Sequence, residues 1–174
     1  MDIRNLNRAD LLSVAERMRM ADHDEIFATR FDDDPDALVD DLLAGDPLGV
    51  VFADSSGRPV AVLGATEMWP GLWSLWMFAT DAWPRVAMPA TRFARRRFWP
   101  LLKRCGLRRG ECKSAAAHHA AHRWITHLGG RAEAVHPAFG RDGQDFITFV
   151  IHGEKDVCNT HAPAPADQQQ QQQG

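Results

Sequence analysis

Ser114–Gly130 reads SAAAHHAAHRWITHLGG, and the fold turns on how that stretch is read. Ala117, Ala120, Ala121, Trp124, Ile125 and Leu128 recur at one-turn spacing, which predicts a helix with one apolar face. Gly129 and Gly130 follow, supplying the left-handed backbone that stops a helix. A short strand candidate, Arg109–Lys113, comes before it and another, Ala132–Val135, after it. In this reading Trp124 and Leu128 pack against a central strand.

Working outward from the helix, the C-terminal side closes with a Gly140–Gly143 turn and an alternating strand, Asp145–Ile151. On the N-terminal side, Ala90–Cys105 has helical spacing through Ala94, Phe98, Leu101 and Leu102, with Pro100 expected to kink it near Trp99. Asp81–Pro89 reads as an irregular loop. Leu72–Thr80 is apolar on both faces, the pattern of a central strand covered on each side. Leu48–Asp54 and Val60–Met68 are strands joined by the hairpin residues Ser55-Ser56-Gly57. Asp2–Leu6 is a strand, Asn7 with Asp10 caps a first helix, and Asp34-Pro35 opens a second that Gly45 ends. The Asp32–Asp34 run lacks the loop glycine and distal glutamate of a calcium loop, so it reads as a helix start.

Composition sets the outer limits. The chain has 174 residues, 45% of them hydrophobic, enough for one domain with a buried core. No apolar run approaches the ~20 residues of a bilayer span, and MDIRNLNRAD is too charged for a secretory signal. Three cysteines, Cys105, Cys112 and Cys158, lack paired spacing and read as free thiols. Residues 1–46 carry 13 acids and 5 bases, whereas residues 85–113 carry 10 bases and one acid. From Gly153 the chain becomes low-complexity and ends in a polyglutamine tract, so residues 1–152 are the expected domain and 153–174 a disordered tail.

The order β-α-α-β-β-β-α-β-α-β-β resembles the GCN5-related N-acetyltransferase (GNAT) fold over residues 1–151. That implies an α/β (α+β) architecture with a mixed, mostly antiparallel central sheet flanked by helices. More narrowly, WMFATDAWPRVAMPATRFARRRFWPLL followed by HHAAHRWITHLGG is similar to the acetyltransferase-like internal virion proteins of short-tailed bacteriophages. This resemblance implies other virion proteins as partners. It also implies a location in the host cytoplasm during assembly and then in the virion.

The residues leave the chemistry open. The GNAT resemblance implies acetyl-CoA held by a glycine-rich loop, but the equivalent stretch, Asp81–Ala90, has no glycine and two prolines. Arg85 and Arg92 are the available diphosphate contacts. With no tyrosine anywhere in the chain, the usual proton donor of the last helix is missing. Glu67 is the first candidate base, Glu111 the second, and His118 or Cys112 the candidate acid. These gaps favour a scaffold without cofactor, with vestigial catalysis, over an active acetyl-CoA enzyme. The third reading is a nucleic-acid module presenting Arg92, Arg95, Arg96 and Arg97 to phosphates. His118, His119 and His122 share helix spacing but lack further ligands, so no metal site is expected and they are placed on the solvent face.

Overall fold

A computed structural model describes residues 2–153; the polyglutamine tract and Cys158 lie outside the described residues. Seven strands form one sheet in the order β1-β2-β3-β4-β5-β7-β6. They are β1 (Asp2–Asn5), β2 (Leu48–Ala53), β3 (Pro59–Trp69), β4 (Leu72–Ala79), β5 (Arg109–Ala115), β6 (Arg131–His136) and β7 (Phe146–His152). Every neighbouring pair is antiparallel except β4 and β5. This is the mixed, mostly antiparallel α/β sheet that the element order predicts.

Period-two alternation gives the middle strands two buried faces. On one face, Leu63 and Ala65 of β3 with Trp73, Leu75 and Ala79 of β4 pack against Ala90, Phe98, Leu102 and Leu128. On the other, Val62 and Phe78 pack with Leu11, Val14, Phe27 and Val39. The first layer comes from α4 (Ala87–Phe93), α5 (Trp99–Arg104) and α6 (His119–His127); the second from α1 (Arg8–Ala15), α2 (Met20–Phe27) and α3 (Pro35–Ala44). The expected caps form: Asn7 accepts from the Asp10 amide at 2.9 Å and Asp34 from the Asp36 amide at 2.9 Å.

Four differences from the sequence reading have physical causes. Helix α2 has no counterpart in it, because MADHDEIF carries no apolar stripe and Arg19 before it makes no side-chain cap. Pro100 introduces no break; the five residues Ala94–Phe98 adopt π-helical pairing just before it, absorbing the missing donor. The expected loop Asp81–Pro89 holds a 3-10 turn, Trp83–Arg85, and the start of α4 at Ala87. Pro89 is tolerated because the first turn of a helix has unpaired amides anyway.

The fourth difference concerns the deciding stretch. Ser114 and Ala115 end β5, and the helix begins only at His119. Gly129, at φ 98°, stops it, and the Gly130 amide donates back to Ile125 at 2.9 Å. Leu128 is buried in the core, whereas Trp124 is half-buried and Ala117 and Ala120 are exposed. The apolar stripe of α6 is real, but Ala120, Ala121, Trp124 and Ile125 line an open cavity.

Candidate active site

The cavity arises from the one parallel pairing in the sheet. β4 and β5 pair only at Leu72–Ser74 with Arg109–Glu111, and beyond these three positions the strands part. A space of about 510 Å³ opens between them, walled by Leu75, Trp76 and Met77 of β4 and Cys112, Lys113 and Ser114 of β5. Trp83, Trp99, Trp124 and Ile125 line it on the α4–α6 side; Arg19, Asp22, Glu25, Ile26 and Leu38 line it on the α1–α3 side. Its walls are mostly apolar with a few convergent polar groups, the usual make-up of a small-molecule site.

The polar groups converge on Glu25. Its Oε2 accepts from Ser114 Oγ at 2.5 Å, from the Ala115 amide at 2.7 Å and from His118 Nδ1 at 3.0 Å. An ionised carboxylate can only accept, so Nδ1 carries a proton and donates it to Glu25. The ring's Nε2 is buried, has no hydrogen-bond partner, and lies 3.6 Å from Asp22 Oδ1. His118 itself is buried at 8% exposure, which corrects its expected place on a solvent face. The cause is the strand-to-helix turn: His118 precedes α6 rather than riding on it, and its ring turns back toward α2.

Asp22, one turn before Glu25, fixes the other wall. Its Oδ2 accepts from the Ala79 amide at 2.8 Å, and Oδ1 pairs with Arg19 Nε at 2.8 Å. Burial raises its pKa, opposed by the Arg19 charge. The Arg19 guanidinium stands 6.0 Å from the Trp83 ring centre. The Trp124 Nε1 donates to Thr91 Oγ1 at 2.9 Å, and its ring meets Trp83 edge-on at 5.6 Å. Burial pushes the Cys112 thiol up to about 12, so it faces the cavity as a neutral thiol.

Of the residues singled out from sequence, the structure brings His118 and Cys112 to the cavity. Glu67 lies at the exposed β3–β4 hairpin, where its Oε1 accepts from the Gly71 amide at 3.1 Å. Glu111 is paired with Arg109 at 3.0 Å, and Arg109 also grips Glu133. Arg85 is exposed, 3.9 Å from Asp54, and Arg92, Arg95, Arg96 and Arg97 are exposed along α4 and the π-helical segment. His119 is exposed; His122 is half-buried and its Nε2 bonds the Ala115 carbonyl at 3.0 Å. Sequence reasoning missed Glu25, Asp22 and Arg19. The one trace of them is the three-residue spacing of the two acids, which puts both on one helix face. Among the described residues, no group of three or more His, Cys, Asp or Glu could hold a metal ion, and no helix is long and apolar enough to cross a membrane.

The architecture is that of the GNAT acetyltransferases. Ard1 from Thermoplasma volcanium superposes with a TM-score of 0.67 at 16% identity, over 87% of this chain and 96% of that one. An aminoglycoside 6'-acetyltransferase type Ii gives 0.65 at 15% identity, over 87% and 97%. A GNAT-superfamily phosphinothricin acetyltransferase from Sinorhizobium meliloti, solved in complex with acetyl-CoA, gives 0.59 at 15% identity, over 87% of each chain. No protein-family model matches the sequence, and no curated protein is similar to it at the sequence level.

Proposed function

We propose that this chain transfers an acyl group from a coenzyme A thioester to an amine in the gap between β4 and β5. The observation that carries the reading is the buried His118 Nε2, without a hydrogen-bond partner, beside a cavity of substrate size. Its Nδ1 is fixed on a carboxylate that is itself held by two further donors. A positioned base is what attack by an amine requires.

The chain's own groups suit a thioester ligand. The Ala79 amide and carbonyl face the open edge, bonded to Asp22 and to the Arg19 amide. Strand geometry puts the N–H and C=O of Met77, two residues earlier, on that same edge. A ligand arm with amide groups can therefore add to β4 where β5 has moved away. Arg85 and Arg92, just beyond Trp83 and Thr91, would supply charge for a diphosphate in place of a glycine loop. In the transfer, the C–N bond forms as the C–S bond breaks. The amine proton passes to His118 Nε2, which can return it to the departing sulfur, a role a tyrosine would otherwise fill.

The test is calorimetry with acetyl-CoA together with thiol release in the presence of an amine panel. Saturable binding that survives His118→Gln, with thiol release lost in that variant, supports the reading. If neither acetyl-CoA nor coenzyme A binds, the fold serves as a scaffold. A particle-associated role, as the virion resemblance implies, then becomes the better account.

A further inference from the structure

We infer that the acceptor is an amine carried on a flat aromatic body, an aryl-alkylamine, seated on Trp76 at the α1–α3 side of the cavity. The inference rests on the acyl-transfer reading and specifies its acceptor.

Trp76 is held as a fixed wall. It lies over Gly64, where any added Cβ would come within 2.1 Å of the indole, so only glycine leaves room for the ring. Its Nε1 donates to Thr66 Oγ1 at 3.3 Å, and Phe78 stacks beside it at 6.2 Å between ring centres. Ile26 and Leu38 line the same side, and Phe139 reaches the cavity from the β6–β7 connection. Phe139 follows Ala138, a non-glycine residue at φ 50° that the Asp145 carboxylate secures through its amide at 2.8 Å. That bond holds the turn in a conformation an alanine adopts at some cost, and so fixes where Phe139 stands. An aromatic ring gains both area and offset stacking on such walls.

The charges decide against a polycation. On the cavity wall, the cations Arg19, Arg30 and Lys113 stand against two carboxylates: Asp22, paired with Arg19, and Glu25, held by Ser114, the Ala115 amide and His118. The apolar walls would strip water from every extra ammonium without replacing it. A mono-amine brings a single charge, and sheds that proton to solvent before attack; the proton lost in the attack itself goes to His118 Nε2 and on to the sulfur.

The experiment compares 2-phenylethylamine, propylamine and spermidine as acceptors at saturating acetyl-CoA. The expected kcat/KM for 2-phenylethylamine exceeds that of propylamine by about tenfold or more, the scale of one well-packed ring. Trp76→Ala should erase that advantage by raising KM, with the acetyl-CoA Kd unchanged, and Trp76→Phe should restore part of it. Spermidine as the best acceptor, or an advantage that survives Trp76→Ala, overturns the inference while leaving acyl transfer standing. If acetyl-CoA does not bind, the acyl-transfer reading fails by itself. Calorimetry with 2-phenylethylamine alone then decides: binding weakened by Trp76→Ala keeps the aryl-amine site, and no binding removes it.

Discussion

The seam between β4 and β5 has a closed half and an open half, built from the same two strands. In the closed half, Leu72–Ser74 meet Arg109–Glu111 and the backbone satisfies itself. In the open half, Leu75–Met77 and Cys112–Ser114 face each other across a cavity, and side chains must do what the ladder no longer does. Of the carboxylates that look most enzymatic in the sequence, Glu111 belongs to the closed half and Glu67 lies next to it on β3, opposite Trp73. Glu67 holds a hairpin turn and Glu111 an arginine. The carboxylates at the open half, Asp22 and Glu25, come from a helix about ninety residues away in sequence from the histidine they face. A strand pair thus makes a site where it stops pairing.

The largest expected effect breaks the open half alone. His118→Gln should lower acyl-transfer kcat by roughly 10²–10⁴, the usual contribution of a positioned acid–base group. Glu67→Gln and Glu111→Gln, measured in the same thiol-release assay, should stay within a few-fold of wild type. Equal losses in all three would erase the distinction between the halves.

Stability should show the reverse asymmetry. Phe98, fully buried under the sheet, should cost about 3–5 kcal/mol when truncated to alanine. Ile125→Ala, on the cavity-lining face of α6, should cost well under half of that, because its side chain already borders open space. Denaturant midpoints of the two variants give the comparison directly.

Much of the framework was legible from residue patterns. The hairpin before β3, the two-sided apolar run of β4, the caps at Asn7 and Asp34 and the Leu128-Gly129 stop each have a local cause, so local sequence reports them. Helix α2 does not: its partners Ser114, Ala115 and His118 are long-range, and its acids resemble any solvated face. The same limit explains the misplaced histidine. Helical periodicity runs smoothly through Ser114–Gly130, and nothing in it reveals that β5 continues to Ala115.

The smallest effect is a pH dependence at the edge of the site. His122 has its pKa lowered, first by burial and then by its histidine neighbours, against the pull of the Ala115 carbonyl and Glu25. An unfolded imidazole titrates near ~6.5. The stability this residue contributes is therefore complete above that value and is lost as pH falls through the lower folded one. Melting temperature should decline between pH 7 and 5, and the decline should flatten in His122→Gln. An unchanged slope would mean that the ring is as free to charge when folded as when unfolded.

The most direct measurement is a titration of the labelled protein with acetyl-CoA, read by NMR at backbone amides and at the His118 imidazole. The account predicts saturable shifts at Leu75–Met77, Cys112–Ser114 and His118, with the imidazole proton on Nδ1, and little change at Leu72–Ser74. Shifts confined to the exposed arginines of α4, or none at any concentration, would contradict it.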